Sequence, residues 1–122
     1  MLMGIGIDLC EVARMREMIA REGFLERFFS AQERAYIAGR GAAAAQAAAG
    51  CFAAKEAALK AFGCGIAMPL REVAVAHDAL GAPYYAFTGE AAERMERLGA
   101  KHMHLSITHE GNMAAAVAVL EG

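Results

Sequence analysis

The chain has no tryptophan, only 7% aromatic residues and almost no excess of either charge, its formal net charge being −2. Each shortage closes off a class of protein. With so few rings the core must come from Ala, Val, Ile, Leu and Met. The 57% hydrophobic fraction is swollen by alanine, which buries little area per residue. A near-neutral balance argues against a general nucleic-acid binder, which carries a strongly basic surface, so any anion site must be local. No run reaches the roughly 18 apolar residues that a membrane span needs. The start, M-L-M-G-I-G-I-D, has no basic region and meets an acid at once, which does not fit a secretory leader. Cys10, Cys51 and Cys64 are odd in number and lack C-x-x-C spacing. They read as small buried residues in a reducing compartment, so the expected location is cytoplasmic. At 122 residues the expectation is one domain, residues 1–122, small enough for oligomerisation to matter.

What is present centres on Cys51–Lys60, C-F-A-A-K-E-A-A-L-K. Ala, Leu, Lys and Glu are strong helix formers, and Gly63 stands where a helix would stop. At about 100° per residue Phe52, Leu59 and Phe62 share one stripe. Lys55 falls inside that stripe, Glu56 at its edge, and Lys60 one turn further on. A solvated helix would put these charges on the opposite side. The plain alternative is an i,i+4 Glu–Lys pair worth about 0.2–0.5 kcal/mol.

The other elements follow in order. Leu2–Leu9 alternates as a strand, with Met3, Ile5, Ile7 and Leu9 on one face and Gly4, Gly6, Asp8 and Cys10 on the other. Glycine inside a strand is costly unless something must come close. The G-I-G is not a dinucleotide fingerprint, because Leu9 stands where its third glycine belongs. Glu11–Glu22 reads as a helix with Val12, Met15, Met18 and Ile19 inward. Arg14 and Arg21 then share a face, which is either a solvated surface or a basic platform for an acidic partner. Phe24–Phe29 is a short turn or helix, and S-A-Q-E at Ser30–Glu33 is a capping box opening another helix. Gly39–Gly50, nearly all alanine with Arg40 its single charge, is a loop or a helical lead-in to the main helix. Val73–Phe87 reads as a hairpin turning at Asp78–Pro83, Glu90–Leu98 as a helix, and His102–His109 and Met113–Leu120 as a strand pair. The expected fold is α+β, an antiparallel sheet packed on a long helix. His102 and His104 share a strand face and make half a metal site at most. His109, on the opposite alternation at a strand end, suits an anion contact or acid–base work.

Taken together, G-I-G-I-D-L-C-E, F-A-A-K-E-A-A-L-K-A-F-G-C-G, the hairpin V-A-V-A-H-D-A-L-G-A-P and S-I-T-H resemble holo-[acyl-carrier-protein] synthase, the small class of 4′-phosphopantetheinyl transferases. The resemblance covers essentially the whole chain. It implies the transferase fold, a homotrimer with active sites between subunits, and a reaction. Coenzyme A would give its 4′-phosphopantetheine arm to a serine hydroxyl of an apo acyl carrier protein, releasing adenosine 3′,5′-bisphosphate. Matched residue by residue, Asp8 and Glu56 would bind Mg²⁺, Lys60 would meet a phosphate, and His109 would lie in the coenzyme A site. Lys55 would either contact phosphate too or extend its stem along apolar surface. Asp8 and His109 could share a site whose Glu56 comes from the neighbour. Arg14 and Arg21 match the basic positions that receive the acidic carrier. The chain departs from the pattern at Cys51 and in the alanine-rich segment before it, where relatives carry basic residues that hold coenzyme A phosphates. Either Arg40 takes that part or affinity is lower. Two further readings use the same residues, a binding trimer that transfers nothing and a Mg²⁺-dependent phosphohydrolase.

Overall fold

The computed structural model describes residues 1–63, 65 and 67–122, so the reading of Cys64 as a buried residue lies outside the described residues. The elements run β1 (Leu2–Glu11), α1 (Val12–Ile19), α2 (Phe24–Phe28), α3 (Ala31–Ala38), α4 (Ala44–Phe62), β2 (Val73–His77), β3 (Pro83–Phe87), α5 (Gly89–Leu98), β4 (His102–Glu110) and β5 (Met113–Glu121). This is the expected α+β arrangement, with antiparallel sheets and a long helix. One sheet has the order β1-β5-β4 and the other is the β2-β3 hairpin. The capping box is present: Ser30 Oγ accepts from the Glu33 backbone N–H at 3.2 Å, and Glu33 Oε1 accepts from the Ser30 N–H at 2.8 Å.

α4 is the axis of the fold. Its alanine-rich approach is helical from Ala44, preceded by a 3-10 turn at Gly41–Ala43, so the lead-in reading of Gly39–Gly50 holds. Alanine has the highest helix propensity, and nothing in this stretch competes with the helix. The helix is buried nearly all round: Ala48, Ala49, Ala53, Ala54, Ala57 and Ala58 have no exposed surface. The stripe of Phe52, Leu59 and Phe62 is thus one part of the packed surface. Phe24, Phe28 and Phe29 close over Phe52 with ring centroids at 6.3 Å in each case.

What must come close to the glycines of β1 is α4 itself. A Cβ placed on Gly4 would meet the Ala61 carbonyl oxygen at 2.0 Å, and one on Gly6 the Ala57 carbonyl oxygen at 1.9 Å. Strand and helix therefore touch backbone to backbone. The glycine face is the buried one, and the apolar face is bare: Ile5 is 69% exposed, Ile7 64% and Leu9 62%. Ile5 pairs with Val119 and Ile7 with Val117, and β4 sets His104 and Ser106 beside those valines. The outer face of the sheet is thus apolar along β1 and β5 and polar along β4. Contiguous apolar patches of this kind usually mark interaction surfaces.

Gly6→Ala tests the backbone contact. The added methyl has no space, and the atom it meets is a helix carbonyl that cannot swing away. The variant is expected to lose at least about 1–3 kcal/mol of unfolding free energy, read as a lower urea midpoint with an unchanged slope. A midpoint equal to that of the unsubstituted chain would contradict the packing.

Candidate active site

The β1–α4 contact fixes which charged groups meet. Asp8 lies two residues past Gly6 on the same strand face, and Glu56 immediately precedes Ala57. Both line an open cleft of about 260 Å³ with Cys10, Glu11, Arg14, Met15, Met18 and Phe52. Lys60, one turn beyond Glu56, reaches back to β1, where its Nζ donates to Asp8 Oδ1 at 2.9 Å and to the Ile7 carbonyl at 3.0 Å. The Lys60 side chain is 53% exposed. The Asp8 side chain is 22% exposed, so the pair sits half in solvent at the edge of β1. Burial pushes the Glu56 carboxyl above its ordinary value, Asp8 adds to the shift and Lys60 opposes it. Burial and then Asp8 also raise the Cys10 thiol. A thiol held neutral in this way is a poor nucleophile and a poor metal ligand.

The expectation that Lys55 faces a phosphate is corrected. Its side chain is fully buried, with Nζ donating to Glu33 Oε1 at 2.7 Å, the Leu70 carbonyl at 2.8 Å and the Val73 carbonyl at 3.1 Å. One residue along a helix turns the side chain by about 100°, so Lys55 and Glu56 serve different sides of α4. Arg21 is corrected as well. α1 ends at Ile19, and Arg21 stands exposed in the following turn, so the seven-residue spacing does not put it on a helical face with Arg14.

The remaining candidates gather on the other edge of the sheet. His109, on β4, donates Nε2–H to the Gln46 carbonyl at 2.9 Å. It shares a cavity of about 280 Å³ with Tyr36, Arg40 and Gln46. A smaller one of about 160 Å³ joins it to Tyr36, Gly50, Cys51, His77 and Pro83. Arg40 sits over the Tyr36 ring at 5.5 Å, and Tyr36 stacks on His77 with ring centroids at 3.9 Å. Burial, and next Arg40, lower the His77 pKa, while burial pushes the Cys51 thiol up to about 12. Cys51, where a basic residue was expected, thus offers this cavity a neutral thiol. The idea that Asp8 and His109 share a site completed by a neighbour's Glu56 is also corrected. Asp8 and Glu56 share one cleft, and His109 belongs to the opposite edge.

Sequence reasoning missed Glu33 beyond its capping role, as well as Tyr36 and His77. Glu33 had one local signal, the box, which gave no hint of a buried partner far along the chain. Tyr36 and His77 meet only in three dimensions.

No group of three or more His, Cys, Asp or Glu able to hold an ion occurs among the described residues. Two carboxylates do converge, and after burial the Asp8 charge adds to the rise of the Glu56 pKa. That pair fits Mg²⁺, which is commonly held by one or two carboxylates plus substrate phosphates.

The profile of the 4′-phosphopantetheinyl transferase superfamily matches residues 4–118. A holo-[acyl-carrier-protein] synthase of Treponema denticola is 42% identical over 123 residues, covering 100% of both chains. The crystal structure of holo-[acyl-carrier-protein] synthase from Neisseria meningitidis superposes with a TM-score of 0.89 at 31% identity, covering 100% of both chains. An ACPS–CoA complex from Chronobacterium ammoniagenes gives a TM-score of 0.84 at 30% identity, covering 97% of this chain and 96% of that one.

The electrostatics of the cleft can be tested without substrate. Asp8→Asn removes a negative neighbour and is expected to lower the Glu56 pKa, whereas Lys60→Ala is expected to raise it. A metal-free ¹³C NMR titration of the Glu56 carboxyl reads both. An Asp8→Asn value equal to or above that of the unsubstituted protein would contradict the assigned coupling. A divalent metal held by this pair would need Glu56 ionised, so its binding should weaken as pH falls toward that raised pKa.

Proposed function

The chain belongs to the 4′-phosphopantetheinyl transferase superfamily, and we propose that it is a holo-[acyl-carrier-protein] synthase. It moves the 4′-phosphopantetheine arm of coenzyme A onto a serine hydroxyl of an apo acyl carrier protein and releases adenosine 3′,5′-bisphosphate. The observation that carries this reading is the convergence of Asp8 and Glu56 on one open cleft, with Lys60 bonded to Asp8. Residues 1–122 act as a single transferase domain in the cytoplasm. Among the described residues no helix is long and apolar enough to cross a membrane.

Asp8 and Glu56 would hold Mg²⁺ in this cleft. When bound, the ion supplies positive charge that offsets negative charge building on the phosphates. Lys60, released from Asp8, is a compact point charge for a phosphate oxygen. The serine oxygen forms a bond to the phosphorus that bears the pantetheine arm, and the bond from that phosphorus to the bridging oxygen breaks. The bridging oxygen leaves with the nucleotide. The serine proton needs an acceptor. Glu56, which lines the same cleft, or a water held there takes it. Arg14, exposed on α1 and lining the cleft, is the docking point for an acidic carrier, with Arg21 contributing from the turn beyond.

The enzyme works as a homotrimer. Two features support this: the bare Ile5, Ile7 and Leu9 face, and the division of candidate residues between opposite edges of one sheet. A neighbour that sets its β4 edge beside the β1 edge brings His109 and Arg40 toward Asp8 and Glu56. His109 and Arg40 then bind the phosphate-bearing nucleotide end of coenzyme A.

The test is the intact mass of an apo acyl carrier protein after incubation with the protein, coenzyme A and Mg²⁺. The expected gain is one phosphopantetheine, abolished by EDTA and by Glu56→Ala. Arg14→Glu should raise KM for the carrier at least several-fold and leave KM for coenzyme A unchanged. No gain with several carriers would favour a non-catalytic binding trimer. Phosphate release without any carrier would favour a phosphohydrolase.

A further inference from the structure

The most deeply buried charges in the described chain take no part in that chemistry. Glu33 is 1% exposed and Lys55 0%. Besides Lys55 and the Ser30 N–H, Glu33 accepts the Val75 N–H on Oε2 at 2.9 Å. Lys55 gives its three protons to Glu33, Leu70 and Val73. One compact network therefore ties α4 to the start of α3, to β2 and to the turn that leads into β2. Every charged atom in it has a partner.

A buried ion pair is a weak way to add stability, because desolvation offsets most of the attraction and apolar side chains of similar volume often do as well. Its consequence is geometric. α4 is faced with alanines, so much of its packing surface is smooth. The glycine contact with β1 sets how close helix and strand approach, and Phe52, Lys60 and the Tyr85 hydroxyl on the Ala54 carbonyl hold other points of the helix, while its methyl groups add little resistance to rotation. Lys55 does resist it, since its Nζ meets three acceptors from three segments in only one orientation. Glu56 is the next residue. A residue's displacement along α4 is 1.5 Å and 100°, so a small slip of the helix carries Glu56 away from Asp8.

We infer that the Glu33–Lys55 network is a positioning device that locks the rotation of α4 so that Glu56 faces Asp8 across the cleft. Both are positioning residues, acting on the reaction through Glu56. This rests on the transferase reading for its kinetic consequences but not for its structural one. Misplacement of a reacting group by about 1 Å typically costs on the order of 100-fold in rate.

The experiment removes both charges together, because either partner left alone would be an uncompensated buried charge. Glu33→Gln with Lys55→Met keeps an amide to serve Ser30 or Val75 and fills the lysine stem. The double variant is expected to unfold cooperatively, with kcat down on the order of 10- to 100-fold and KM for the carrier within about twofold. Its Mn²⁺ affinity in the presence of coenzyme A, read by EPR, should fall about 10- to 100-fold. Glu33→Asp, which keeps both charges but shortens one arm by a methylene, should show the same split in weaker form. A crystal structure of the double variant separates this inference from the transferase reading, and it should show Glu56 displaced relative to Asp8. An unmoved Glu56 overturns the inference whatever the activity. A folded double variant with unchanged kcat and Mn²⁺ affinity overturns it too. If neither variant folds, the network is a requirement of the fold and the positioning role falls. If the unsubstituted protein transfers nothing yet Glu56 moves in the double variant, the transferase reading fails and the inference stands.

Discussion

The backbone-to-backbone contact between β1 and α4 is the constraint on which the rest depends. It exists because Gly4 and Gly6 have no side chains and because α4 turns alanines toward them. At ordinary helix-on-sheet spacing, side chains from both elements would interdigitate and the carboxylates on each would stand further apart. Here Asp8 follows the glycines along the strand and Glu56 borders the contact on the helix, so the close approach that packs the core also brings two negative charges into one cleft. The same choice of face leaves Ile5, Ile7 and Leu9 in solvent in the isolated chain. A strand that gives its glycine face to the core leaves its apolar face outward, so the cleft and the exposed apolar face share one cause.

The three charges of K-E-A-A-L-K divide according to their distance from water. Lys55 is sealed in and held by four partners' worth of structure, if the Phe29 ring 5.3 Å from its Nζ is counted with Glu33 and the two carbonyls. Burial lowers its pKa and Glu33 opposes that shift. Lys60 is half open to solvent while bonding Asp8 and the Ile7 carbonyl. Glu56 lies between these extremes, desolvated enough to raise its pKa and open enough to meet a ligand. A low local dielectric and a like-charged neighbour raise a carboxyl pKa by separate routes, and both act here.

Much of this was legible in the sequence, and the gaps have physical causes. The hairpin, the capping box, the glycine stop after α5 and the strand pair were readable because each rests on local chemistry. Alternation along β1 separated its two faces but could not say which is buried, because that depends on what packs there. Gly39–Gly50 was ambiguous because alanine favours helices strongly yet adds little burial to hold one in place. Periodicity sets Lys55 on the apolar stripe, and the resemblance leaves it between a phosphate contact and a stem laid on apolar surface. Its partner Glu33 lies 22 residues away, and nothing local announces such a pair. Arg21 was placed on a helix one turn too long, the commonest kind of boundary error. That His109 stands at the opposite edge of the sheet from Asp8 follows from the β1-β5-β4 order, which no pairwise sequence signal gives.

The central claim is that Asp8 and Glu56 of one chain form the metal-binding half of a coenzyme A site. Mn²⁺ shares the oxygen-ligand, octahedral preference of Mg²⁺ and scatters anomalously, so it reports the position directly. The decisive measurement is anomalous diffraction from crystals grown with coenzyme A and Mn²⁺. The account predicts a peak bridging the Asp8 and Glu56 carboxylates of one protomer and an oxygen of the coenzyme A pyrophosphate. Bound coenzyme A with no peak at that place, or a peak ligated by other residues, would contradict it.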